Sequence, residues 1–235
     1  MLLVFVRFSS LLPTVVSLFA GVALVLCGLF LHCGAVFAQG EADRLRFETE
    51  VRYVRGVIAH RYLPARCLRA TPGRTKEAKI DRLARDIVRA VWEVFTYAGP
   101  IKPVERPESL LALVLAVAEK ESDFCPTATS RRGAVGLMQV NYPYWRKRYR
   151  TLSVETLYRP YHNVLFGTGV LLDSIKRKGL VRGLCEYHGD RHCRRLSYVE
   201  EVLVRFLEHE RNLARLASLL DLIATESGRV GRRGR

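Results

Sequence analysis

The apolar and polar positions along the chain follow a helical period over most of its length. Within 43–62, Leu45, Val51, Val54 and Ile58 recur at helix-like spacing with charges between them; within 76–98, Ile80, Leu83, Ile87, Val91 and Phe95 do the same. Pro64 and Thr71-Pro72-Gly73 mark a loop between these two helices. Gly99, Pro100, Pro103 and Pro107 close the second helix and form a linker. Leu110 to Ala118 is an unbroken run of Leu, Ala and Val, too short to cross a bilayer. It predicts a helix buried on nearly all sides, in the middle of a domain. Glu119, Lys120 and Glu121 end the run, and Pro126 closes the segment.

A Gly-rich loop follows, then a helix over about 161–177 and a loop bounded by Cys185 and Cys193. An amphipathic helix begins near Ser197, and the tail from Arg211 predicts a further helix that frays into Gly-Arg-Arg-Gly-Arg. There is no alternating strand pattern and no internal repeat. The expected fold class is therefore mainly α.

The first residues have another character. From Phe8 to Gly40 there is no Asp, Glu, Lys or Arg, and Arg7 supplies the positive charge ahead of this stretch. Val36-Phe37-Ala38 resembles a small-x-small cleavage site with Gln39 as the first mature residue, so 1–38 reads as a secretory signal peptide. The apolar stretch is also long enough to serve as a retained membrane anchor; either way the rest of the chain is exported, to the periplasm or cell envelope. Leu26 and His32 precede Cys27 and Cys33 where a lipidation box wants a small residue, which argues against a lipoprotein.

Export changes the meaning of the cysteines and the charge. Cys67, Cys125, Cys185 and Cys193 remain after residue 38, an even number in an oxidising compartment. Three complete pairings are open. The expected one joins Cys185 to Cys193 and Cys67 to Cys125. The rival reading, a zinc site, lacks a CxxC or HExxH spacing, so no metal is expected. The formal net charge of +15 falls to +14 without Arg7. A basic protein attracts nucleic acid, an anionic surface or an acidic polymer. Export and the lack of interleaved stacking aromatics argue against nucleic acid.

Glu121 is the first candidate for chemistry. It stands at the C-terminal end of a buried helix, where the helix dipole is negative, a setting suited to a carboxyl group that must deliver a proton. The residues after it narrow the reading. Glu121-Ser122-Asp123-Phe124-Cys125-Pro126-Thr127-Ala128-Thr129-Ser130 leads through Arg131 and Arg132 into Gly133-Ala134-Val135-Gly136-Leu137-Met138-Gln139. This resembles the ES-x-F-x-P-x-A-x-S…GA-x-GLMQ signature of the soluble lytic transglycosylase family. Asn163-Val164 with Gly167, Val170 and Leu171 resembles that family's next helix, Tyr187-His188-Gly189 its YN-x-G segment, and Tyr198-Val199 the start of its closing helix. The resemblance covers roughly 105–205.

The resemblance implies a lysozyme-like helical domain that cleaves the β-1,4 bond between N-acetylmuramic acid and N-acetylglucosamine in peptidoglycan, without a cofactor. It implies that Glu121 is the catalytic acid and then base, closing a 1,6-anhydro ring. It places the Tyr187 hydroxyl towards Glu121 and makes Ser130, Gly136, Met138, Gln139 and Asn163 candidates for substrate binding; Asn163 also reads as a helix cap and Ser130 as a turn former. Two departures stand out: His188 replaces the family's Asn, and Glu186 replaces a small residue. Glu119 and Asp123, two residues either side of Glu121, do not share its helix face, and from Phe124 to Leu152 there is no Asp or Glu. A second catalytic carboxyl group, which glycosidases ordinarily need, is thus missing from this stretch. The basic run Arg146-Lys147-Arg148-Tyr149-Arg150 has two readings, a lining of the approach for the acidic peptide stems of the wall or a solvated charged face.

The domain reading is a signal peptide over 1–38, a helical extension over 39–104, a catalytic domain over 105–210 and a basic tail over 211–235. The alternatives are a hydrolytic muramidase and an inactive wall-binding scaffold. The partner is the peptidoglycan strand, with an envelope-spanning secretion or assembly machine as a second partner class and the membrane only if the leader is retained.

Overall fold

The structure is a computed structural model that describes residues 40–61 and 63–233, with side chains to residue 222. The expected signal peptide, Cys27 and Cys33 lie outside the described residues. The chain divides into two compact units, 1–45 and 46–235. Of the first, 40–45 are helical.

The second unit is helical almost throughout. Helix α1 covers 40–59, and Val51, Val54 and Ile58 form its buried stripe. A 3₁₀ turn at Ala65–Leu68 follows. Helix α2, Lys76–Ala98, starts where the Thr75 hydroxyl accepts from the Ala78 N–H at 3.2 Å and buries Ile80, Leu83, Ile87, Val91 and Val94. Helix α3, Pro107–Ser122, opens with Pro at its first position, where no N–H is needed. Every residue from Leu110 to Ala118 is fully buried. This is the central helix; α8, Ser197–Arg233, packs along it, and α2 packs along α6, Pro160–Lys178.

Between α3 and α6 lies a small lobe. Strands β1, Ala134–Val135, and β2, Val140–Asn141, pair antiparallel, with Ala134 opposite Asn141 and Val135 opposite Val140. Helices α4, Tyr142–Arg148, and α5, Val154–Tyr158, complete it. Val135, Val140 and Leu157 form its own minor core, with Trp145 and Phe166 packed on it. Helix α7, Leu180–Tyr187, runs into the Cys185–Cys193 segment. The expected loop there is half helix, since Cys185 sits inside α7. Two expected C-terminal helices are one, because α8 continues without a break past Arg211.

Ion pairs between buried carboxylates and more exposed arginines join the helices at both ends of α3. Near its start Arg46 pairs with Glu108 and, at 3.5 Å, with Glu50, which accepts from the Trp92 indole N–H at 2.7 Å. Near its end Glu119 is 8% exposed and is met by Arg61 at 2.6 Å, Arg205 at 2.8 Å and His209 at 3.4 Å. The disulfide Cys67–Cys125 ties the 3₁₀ turn to the segment after α3.

Candidate active site

Helix α3 stops abruptly just beyond Glu121. Asp123 and Phe124 both adopt left-handed backbone angles, φ 49° and 58°. Asp tolerates this region, whereas a bulky Phe in it is uncommon and needs support. The support is burial, for Phe124 is fully enclosed in the core. The reversal leaves Glu121 on the last turn of the helix, its side chain 16% exposed. Ser122 donates its hydroxyl to the Leu137 carbonyl at 2.7 Å and so pins the helix end to the Gly136–Gln139 turn.

That turn is held from beneath by Asn163. Its amide oxygen accepts from the Met138 N–H at 2.8 Å, and its amide nitrogen donates to the Val135 and Leu157 carbonyls, each at 2.8 Å. The contact is so close that a Cβ on Gly136, whose φ is 82°, would lie 2.0 Å from the Asn163 amide nitrogen. Gly167 gives α6 the same access: a Cβ there would be 2.8 Å from that of Met138.

The carboxyl group of Glu121 meets two aromatic side chains. Tyr198, at the start of α8, donates its hydroxyl to Glu121 Oε1 at 2.7 Å. The His188 ring stacks on Tyr198, with centroids 4.0 Å apart and an 18° tilt, and its Nδ1 is 4.0 Å from the same oxygen. Tyr187 lies beneath and donates to the Met138 carbonyl at 2.7 Å. Burial, and then the charge of Glu121, push both tyrosine hydroxyls well above their ordinary range; for Tyr198 the hydrogen bond to Glu121 adds to this. Both therefore stay protonated and act as donors at neutral pH. The arrangement offers a partly shielded carboxyl group with one oxygen engaged by a neutral donor, beside an imidazole.

The expected site residues separate into two groups. Glu121, Tyr187 and the Gly136–Gln139 turn converge. The hydroxyl on Glu121 is that of Tyr198, not of Tyr187, because Tyr187 ends α7 beneath Gly167, where its hydroxyl reaches Met138 instead. Asn163 has no exposure and both ends of its amide are taken by backbone, so it holds the turn and offers nothing to a sugar. Met138 is fully buried, and its sulfur accepts from Thr168 at 3.5 Å; it is core, not a face for a sugar ring. The close approach at Gly136 is to Asn163. Ser130 accepts from the Ala134 N–H at 3.0 Å and shapes the hairpin. Gln139, at φ 45°, donates to the Ala128 and Gly136 carbonyls and is half-buried at the turn.

Neighbouring acids are turned elsewhere. Glu119 is committed to Arg61, Arg205 and His209, and Asp123 caps the helix with Arg61 3.8 Å away. An open cleft of about 470 Å³ beside the end of α3 is lined by Ser122, Asp123, Thr127, Thr129 and Arg66, and Glu121 is not part of its lining. Among the described residues no group of His, Cys, Asp and Glu is placed to hold a metal ion. The disulfide Cys185–Cys193 closes the segment that carries Tyr187 and His188.

Sequence reading missed the role of Tyr198. The Tyr-Val pair at 198–199 was visible as the start of a helix. Nothing local shows that this helix returns onto α3, 77 residues away in sequence.

Comparison with known families gives one match. Residues 100–188 match the family model described as the Transglycosylase SLT domain. The matched segment includes α3, the hairpin, α6 and α7, and stops before Tyr198. No curated protein and no solved structure matches the chain.

Proposed function

From the premise that residues 100–188 are a transglycosylase SLT domain, lysozyme-like and mainly α-helical, we propose that the protein is an exported enzyme that cleaves the glycan strand of peptidoglycan. The bond is the β-1,4 link from N-acetylmuramic acid to N-acetylglucosamine. Glu121 is the acid: it gives its proton to the glycosidic oxygen as the C1–O bond breaks. The resulting carboxylate takes the proton of the muramic acid C6 hydroxyl, whose oxygen attacks C1 and closes a 1,6-anhydro ring. No water is consumed, and Glu121 ends protonated as it began.

The observation that carries this reading is the isolation of Glu121 from other carboxylates together with its bond from Tyr198. Glycosidases that hydrolyse ordinarily use two carboxyl groups; here Glu119 is held by Arg61, Arg205 and His209, and Asp123 caps the helix with its exposed side chain 3.8 Å from Arg61. Tyr198 occupies Oε1, so Oε2 is the oxygen that carries the proton to and fro. The neutral tyrosine donor stabilises the carboxylate midway without itself losing a proton. A hydrolytic muramidase needs a second group to activate water, and His188, 4.0 Å from Glu121, is the group placed for it.

The test of Glu121 is substitution. Glu121→Gln keeps the shape and removes the proton, and its release of soluble muropeptides from purified sacculi should fall by ~10²–10⁴-fold or more. Release near the wild-type rate would remove Glu121 from the chemistry.

A further inference from the structure

The small lobe carries a second cavity, of about 640 Å³, whose lining includes neither Glu121 nor either of its tyrosines. It lies between α4 and α6. Along α6, Asn163, Gly167 and Thr168 face inward, while Phe166, Gly169, Val170 and Asp173 lie on the cavity side. Three half-buried or exposed rings form its wall: Trp145 lies 5.6 Å from Phe166 and 6.0 Å from Tyr149, and Tyr149 lies 5.4 Å from Phe166. Trp145 and Phe166 also pack on the minor core, and all three rings line the cavity. A Cβ on Gly169 would meet no atom within 4 Å, so the helix leaves open space there.

The cation in the lining is Arg148, which Lys147 and Arg150 adjoin in sequence. None of the three is joined to a carboxylate in an ion pair among the described residues. Asp173, the acidic group in the lining, is held by Arg177 at 3.0 Å. From Phe124 to Leu152 the sequence has basic residues and no acid. An aromatic wall offers its faces to the C–H faces of a pyranose ring, and unpaired guanidinium groups beside it select a ring that bears carboxylates.

We infer that this cavity is a second glycan site, which holds an N-acetylhexosamine ring against Trp145, Tyr149 and Phe166 with its acidic peptide stem on Arg148. The inference rests on the peptidoglycan reading above and adds to it a holding site apart from the cleavage site. Such a site keeps the enzyme on the polymer between cleavages.

The chain has two tryptophans, Trp145 in the cavity and Trp92, which donates to Glu50 between α1 and α2. Tryptophan emission therefore reads the cavity directly. The full chain with Glu121→Gln is titrated with soluble glycan strands that carry peptide stems, and with the same strands stripped of stems. Stem-bearing strands should give a saturable change that disappears with Trp145→Phe and weakens about tenfold with Tyr149→Ala or Arg148→Ala. Tyr149 is 45% exposed and Arg148 is exposed; Arg148→Glu keeps the test open should Tyr149→Ala loosen α4. No saturable change, an equal response to stripped strands, or unaltered affinity in both the Tyr149 and Arg148 variants overturns the inference. If the wild type still cleaves sacculi, the cleavage reading survives that outcome. A wild type that neither cleaves nor responds overturns both.

Discussion

Two tyrosines near Glu121 make different bonds and should fail differently. Tyr198 touches the carboxyl group, so Tyr198→Phe removes a hydrogen bond to a charged group, worth about 1.5 kcal/mol or roughly tenfold in rate. Tyr187 touches the Met138 carbonyl, so Tyr187→Phe should act on the turn, lowering the melting temperature more than the rate. Rate and melting curves on both variants check this; a larger rate loss from Tyr187→Phe would exchange the two roles. At this scale the sequence was partly legible. Glu121 stood out because a buried run ends at it and a dense motif begins there. Met138 and Asn163 were read as sugar contacts from the family resemblance, with a helix cap as the other reading of Asn163. Their side chains are consumed from within instead, by backbone groups and by Thr168, and such enclosure depends on neighbours far apart in sequence.

The elements around the site are held by crosslinks as much as by packing. The Cys185–Cys193 bridge closes the segment that bears His188, which stacks on Tyr198. Its loss should cost about 2–3 kcal/mol by loop entropy and, in addition, lower the rate, because the Tyr198 ring loses its stacked neighbour. The Cys67–Cys125 bridge closes a longer loop and should cost ~4 kcal/mol. Paired Cys→Ser variants, melted and assayed side by side, check both; a 185/193 variant with full activity would separate that bridge from the site. Long helices were legible by period: α2, α3 and α6 lie where the apolar spacing put them, within a few residues. Strands β1 and β2 were not, since two residues each leave no alternation to see. Helices α4 and α5 are too short to show a period. Helix α7, eight residues long, is also too short to show a period; within it Gly183 serves close packing, since a Cβ there would lie 2.8 Å from the Ile175 backbone.

Across the whole molecule, the end of α3 is the point where α1, α3 and α8 meet in charge. Burial alone would raise the Glu119 carboxyl group, but hydrogen bonds from His209 and Arg205 and the charge of Arg61 bring it below its ordinary range. A lowered carboxylate binds fewer protons folded than unfolded, so its stabilisation is complete above the ordinary glutamate range and is lost as pH falls through the lowered value. Glu119→Gln should therefore cost about 1.5–3 kcal/mol at neutral pH and flatten the acid limb of the stability–pH curve, which denaturant melts at several pH values read out. An unchanged acid limb would deny Glu119 this role. The same residue holds the helix that presents Glu121, so fold and chemistry share one support, two residues apart. The central claim is that one carboxyl group acts as acid and then base without water. Mass spectrometry of the fragments released from purified sacculi by the full chain tests it most directly. The account predicts 1,6-anhydro ends, one water lighter than reducing ends, with their release falling ~10²–10⁴-fold or more in Glu121→Gln; reducing ends as the main product would contradict it.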